Sequence, residues 1–492
     1  FFTSTSFDPP SGDYGGIQAD YANSGFVNMV GAACFDPQGD YKSSGVSQII
    51  VHEHTHDLFQ ERASDNIGHL IAMGKGGGSE AILNGENGVP SGDSLNGQPA
   101  SRYYDYLLMG GNTPYGIYTK GALTMAVHER TILGWLDPIP LASDQLGVTA
   151  RDLYTYGDAY QIAVGQRSSG DTRTLFVSNR QRLGYFDSLA TFDYPGAAPN
   201  ANDWSLMDNG IAIELSRYPD GDHGYYDFLF ADNTFAGGSY SAAYQGDMHG
   251  PGGKTQITPW TVPNINGCAG YEPDVVCGQP DFVMTWQGLD NMRYQGGADS
   301  TMRFDFYTDY RNAPVVYIRS DSWMGAETDG SAFAGEVRVT NGATLTIEDG
   351  ITLTFDEDLV VEAGARLEVG TGVDLRFASG KRLIVRGTLN AEGTTFAARD
   401  SIQGWGGVRF EPSSDGLLQD AIVQDVDVQG VTNRPAVFVH NADVVFEGVI
   451  IQDGSGDGLR ATGAQADITM QPLGQTPSQI LRHAATALAK YL

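Results

Sequence analysis

The segment Gly342-Ala343-Thr344-Leu345 returns 22 residues later as Gly364-Ala365-Arg366-Leu367, and then loosely as Gly387-Thr388-Leu389. Phe355 and Phe377 keep the same spacing. Around these anchors the chain reads as short β-branched strands broken by Gly or Asn turns, EVRVTNGATLTIEDGITLTF and then DLVVEAGARLEVGTGVDLRF. A unit this short cannot bury its own apolar face, so it gains a core only by stacking on its neighbours. It contains no helical segment, and the Leu/Asn ladder of leucine-rich repeats is absent; the expected form is a β-solenoid. Strand alternation places Leu345, Ile347, Leu353, Phe355, Leu367, Val369, Leu375 and Phe377 inward. The pattern occupies residues 313–471, strong through 397 and blurred afterwards.

The rest of the chain divides by pattern into three further regions. Residues 1–145 mix apolar helical stretches with Gly-rich loops, and two helices stand out. One runs from Ser47 to Gln60 behind a Ser cap; the other runs near Lys120 to Gly134, ending on the Gly expected after a last turn. Residues 146–312 alternate as strands (YQIAVGQ, TLFVSNRQ, GIAIELSR, FVMTWQGL, MRFDFYTD) joined by long polar loops, which predicts a β-sandwich-like domain. Residues 472–492 place Ile480, Ala484, Leu488 and Tyr491 on one helical face behind Pro477, a helix capping the solenoid or else a tail.

Composition removes several classes of function. The 492 residues carry a formal charge of −31, from 60 acidic and 29 basic side chains. Such a surface repels nucleic acid and anionic membrane. No run of 18 apolar residues is present to cross a bilayer. Cys268 and Cys277 bracket a short loop and read as a disulfide formed in an oxidising compartment, leaving Cys34 over. Phe1, with no initiator Met and no leader, reads as a processed start, with sequence lost upstream.

The residues that bear chemistry are His52-Glu53-His54-Thr55-His56, behind the apolar run Ile49-Ile50-Val51. Residues four apart share a helix face, so His52 and His56 can present two imidazoles to one Zn²⁺. Glu53 lies near the same side, where a carboxylate can take a proton from a metal-bound water. A third ligand is sought among His69, Asp65, Glu61 and Glu80. His69 is preferred, because neutral imidazole suits Zn²⁺ and a Gly-rich loop adjoins it.

From residue 48 to about 310 the chain resembles the immune-inhibitor-A-like secreted metallopeptidases. The likeness rests on VHEHTHDLF, YYDYLLMGG at 103–111, MAVHERTILGWLDPI at 125–139, LFVSNRQRLGYFD followed by NGIAIELSR, and GDMHGPGGKTQITPWTVPN, all in family order. It implies an α+β zincin-like catalytic domain within 1–145, with Met109 beneath the metal. It also implies structural Ca²⁺, for which Asp203, Asp208, Asn209, Asp220, Asp222 and Asp227 offer oxygen ligands. Two departures stand out. Phe59 and Arg62 occupy the offsets where metzincins carry a Gly and a further ligand, and Ser178 replaces a usual acidic residue. From 319 onward the chain resembles the right-handed parallel β-helix segments of bacterial surface proteins, which implies cell-surface or carbohydrate contact, self-assembly or a spacer role.

The expected function is therefore a secreted zinc endopeptidase acting on proteins or peptides, with Tyr103, Tyr104 or Tyr106 steadying the oxyanion. The competing expectation is a non-catalytic extracellular structural, filament or adhesin-like protein that retains a peptidase-like fold.

Overall fold

In the computed structural model, the described residues are most of 127–167, 172–183, 209–216, 248–266 and 282–295, and 300–471 apart from 428–433, together with a few short strands elsewhere. Chain contacts divide it into two units.

The first unit is built on antiparallel strands. Ala159–Arg167, Thr172–Arg180 and Gly210–Ser216 pair in succession, with Tyr226–Phe228 and Phe282–Val283 on the outer edges. A three-stranded sheet places Met302–Tyr307 between Gly288–Tyr294 and Gln145–Ala150. Both sheets feed one apolar core: Ile162, Val164, Leu175, Val177, Ile211, Ile213 and Leu215 from the larger, and Leu289, Met292, Met302, Phe304 and Phe306 from the smaller. Two sequence expectations need correction here. FVMTWQGL is not one strand: Phe282–Val283 and Gly288–Tyr294 belong to different sheets, separated by an unpaired stretch. The second helix is also shorter than its pattern, because Lys120 lies in a strand, Thr119–Lys120, and the described helix is Val127–Ile132. Its end is as expected: Gly134 has φ +71°, and Trp135 N–H donates to the Arg130 carbonyl at 2.8 Å, a closure that a left-handed residue permits.

The second unit contains the parallel β-helix, whose strands run from Val315 to Gln471 in three parallel sheets of seven, seven and six strands. The register reproduces the sequence repeat. Leu345 pairs with Leu367 and Leu367 with Leu389, while Leu353 pairs with Leu375 and Phe355 with Phe377. All eight residues expected inward are buried, none more than 5% exposed. The blurring after 397 has a simple cause. In the second sheet the offset between stacked residues grows from 22 to 27 (Leu389 to Gly416), then 28 (Gly416 to Val444), before falling to 24 (Val444 to Ile468). The additional residues sit at the corners, so strand pairing survives while the sequence period does not.

Aromatic rings fill the axis. Phe333, Phe355, Phe377 and Trp405 stack with centroids 5.4, 5.2 and 4.6 Å apart. Ala398 follows Phe377 in register and is too small to continue the column, so Trp405 enters from a corner, its indole N–H donating to the Gln424 carbonyl. Trp260 packs on the first ring of the stack at 5.3 Å. One corner shows why Gly recurs: Gly350, Gly372, Gly393, Asp420 and Gly448 occupy equivalent positions between the second and third sheets, and all have positive φ. That left-handed conformation costs an ordinary L-residue about 1–2 kcal/mol.

Candidate metal centre and a buried ion pair

His52, Glu53, His56 and His69 all lie outside the described residues, as do Met109 and the three tyrosines. The cysteines and the acidic residues named for Ca²⁺ lie outside them too, apart from Asn209 and the backbone of Asp227. Among the described residues no group of three or more His, Cys, Asp or Glu is placed to hold a metal ion, and no helix is long and apolar enough to cross a membrane.

What the first unit does show is a buried polar network on the sheet face opposite the shared core. In Thr172–Arg180, Leu175 and Val177 enter that core, so alternation sends Phe176, Ser178 and Arg180 to the other side. Phe176 packs there with Val127 of the helix and with Leu153. On the neighbouring strand Glu214 takes the same side and is completely buried. Its Oε1 accepts from Val127 N–H at 3.3 Å and from the Arg180 guanidinium at 3.2 Å, and its Oε2 accepts from His128 N–H at 3.2 Å. A buried carboxylate must be compensated, and these donors do so while fastening the helix to the sheet. With both oxygens engaged, Glu214 is better placed to anchor than to act as a base.

His128 follows from the same packing. Burial alone drives its pKa down to about 4, so the imidazole is neutral above that pH, lying 6.0 Å from the Phe176 ring. His249 is also buried and held to about 4 by desolvation, although its ring nitrogen Nε2 bonds the Leu229 carbonyl at 2.9 Å. Its backbone exchanges two hydrogen bonds with Ile211, which joins residues 248–250 to the same sheet. Beside them, Asp152 caps Leu153–Tyr156 through Thr155 N–H and accepts from Gln181 N–H at 2.8 Å. Asn179 donates to the Ala150 and Ser300 carbonyls. Three of the stretches that carried the family resemblance (125–139, 175–187 and 209–217) thus meet at Glu214, and the fourth, 246–264, joins the same sheet through the backbone pairing of His249 with Ile211. Sequence reasoning noticed these stretches but not the Arg180–Glu214 pair. The available signal was two charged residues inside otherwise apolar strand patterns.

In the β-helix several acidic residues form a ladder on the first sheet rather than lying in turns as lone charges. Arg338 bridges Glu336 and Glu362, Arg386 bridges Glu362 and Glu411, and Arg409 also reaches Glu411. Burial would raise the Glu411 pKa, but Arg386 and Arg409 outweigh it and hold the carboxyl below its usual value. These groups are occupied by one another, and the ladder offers no nucleophile and base in reach of each other.

No family model matches the chain. Nor does any curated protein or solved structure.

Proposed function

We propose that the chain is an extracellular zinc-dependent endopeptidase whose β-helix serves attachment, binding or assembly. The observation that carries this reading is His52-Glu53-x-x-His56 behind an apolar run, in which two imidazoles spaced i, i+4 in sequence and a carboxylate match the donor set that zinc takes. It is supported by the meeting of three family-like stretches at Glu214, with the fourth paired to the same sheet through His249. In this reading His52, His56 and His69 are the ligands. Zinc, when bound, supplies a Lewis acid for the scissile carbonyl and a more acidic water. Glu53 accepts the proton of the attacking water and returns it to the leaving amine nitrogen, while a tyrosine at 103, 104 or 106 donates to the oxyanion. Bound Ca²⁺, the right-handed course of the coils and secretion belong to the same proposal.

The deciding experiment compares wild-type chain with Glu53→Gln, purified without chelator. Zinc content is expected to be equal, and cleavage of an unfolded protein substrate is expected only from the wild type. Wild-type chain that binds no zinc would overturn the reading. If it binds zinc yet cleaves nothing, the second reading is favoured, a non-catalytic extracellular structural protein. The uninterrupted β-helix core and its self-paired charge ladder are what support that alternative.

A further inference from the structure

The two ends of the β-helix unit differ. At the first end the open edge is already occupied within the unit. Trp260 lies on Phe333, its carbonyl accepts from Trp323 N–H at 3.0 Å, and Thr261 bridges to Ser322 in antiparallel sense. Ala334 N–H donates to the Arg311 carbonyl on the same side. At the last coil, Ile450–Gln452, Leu459–Thr462 and Asp467–Gln471 are the terminal strands of their sheets, with no further strand among the described residues.

The side chains show the same asymmetry. The inward columns are sealed one coil earlier, at Val423, Val437, Val439, Val444 and Phe446. Their successors in register are Ile451, Leu459, Ala461, Ile468 and Met470. None of these is buried, and Met470 is 43% exposed although Phe446 before it is 4% exposed. An apolar coil end with unpaired strand edges invites whatever chain can cover it.

We propose that residues 472–492 are that cover. They begin at the end of the last strand, so their local concentration at the open coil is high. Ile480, Ala484, Leu488 and Tyr491 recur at helical spacing and would supply one apolar face. Charge favours the same occupant. The segment carries Arg482 and Lys490 and no acidic residue, whereas Asp443, Glu447, Asp453 and Asp467 belong to the last two coils, along with Asp457, which pairs with Arg460. A second copy fits less well. Docking head to tail would displace Trp260 and Thr261, and docking tail to tail would set these carboxylates against their own copies on chains of net charge −31.

Amide hydrogen exchange on the full chain, with sedimentation velocity over a concentration series, tests the proposal. The comparison is with Ile480→Asp/Leu488→Asp and with a chain ending at Thr476. Exchange in 459–470 is expected to quicken about tenfold or more in both variants, while 337–398 stays protected and reports that the coils remain folded. Association should then rise with concentration. Arg482→Glu/Lys490→Glu, which leaves the apolar face intact, should quicken exchange by less. Equal protection of 459–470 in all four proteins would overturn the proposal. So would protection that appears in the wild type only as it dimerises, which would assign the end to a second copy.

Discussion

Replacing Phe377 isolates what the aromatic column contributes beyond burial. The ring is fully buried and has two stacked neighbours, Phe355 at 5.2 Å and Trp405 at 4.6 Å. Phe377→Ala removes the ring and leaves a cavity, expected to cost about 3–5 kcal/mol. Phe377→Leu is the sharper probe, because it keeps most of the apolar volume and loses only the π-faces. Each aromatic pair is worth about 0.5–1.5 kcal/mol over area, so two pairs predict about 1–3 kcal/mol. Leu375→Met, at the preceding inward position of the same strand, is the control for repacking alone and should stay below about 1.5 kcal/mol. Because stacked coils open by neighbours rather than all at once, a single global melting temperature would average the effect away. The informative assay is native-state amide exchange, read separately at 359–385 and 395–410. Opening free energies are expected to fall at both stretches in Phe377→Leu, and Phe355→Leu/Phe377→Leu should cost less than the sum of its parts. If Phe377→Leu and Leu375→Met differ by less than about 0.5 kcal/mol, the stack adds nothing to burial and the reasoning fails.

Three further outcomes are expected. Arg180→Met leaves Glu214 buried beside two amides only and should destabilise the first unit by about 3–5 kcal/mol, with Arg180→Met/Glu214→Leu recovering part of the loss in a denaturant titration. His128 and His249 are held to about 4 when folded against an ordinary value of 6.5, so the unfolded chain binds more protons between those limits and stability must fall as pH drops from 6.5 to 4. The two shifts predict a loss of order 3 kcal/mol per ring, and a unit whose stability is flat across that window refutes the assignment. Gly372→Val, at φ +75°, should cost about 1–2 kcal/mol in local exchange, and Gly372→Asn clearly less, since Asn tolerates the left-handed region.

The β-helix was the legible part of the molecule, for a physical reason. In a stacked coil the same residue type must return at the same inward position, so Leu345, Leu367 and Leu389 write the fold directly into the sequence. Legibility ended where coil length changed, since nothing in the spacing of 389 to 416 tells an observer that Gly416 still pairs with Leu389. Trp405 was opaque for the same reason: it completes the ring column from a corner and not from the strand that follows Phe377. In the first unit the alternation of Leu175, Val177, Ile211 and Ile213 pointed to a shared core. The partner of Glu214, by contrast, depends on long-range pairing that no local pattern encodes. For the zinc motif the sequence remains the source of the argument: the i, i+4 spacing of His52 and His56 is a local fact, but the third ligand is a long-range one, and His69 is preferred only on its chemistry and on the Gly-rich loop beside it.

The changing coil length has a practical consequence. Because the residues beyond 22 are housed at corners, the distance between neighbouring strands stays at the usual ~4.8 Å whatever the corner holds. Residues 399–407, between Thr395–Ala398 and Val408–Phe410, form such a corner, with Ile402 74% exposed at its surface. A guest peptide grafted beside Ile402 should be displayed outward without disturbing Trp405 or the strands above and below. A single residue inserted between Leu375 and Phe377 should do the opposite, because it turns every later side chain of that strand to the wrong face.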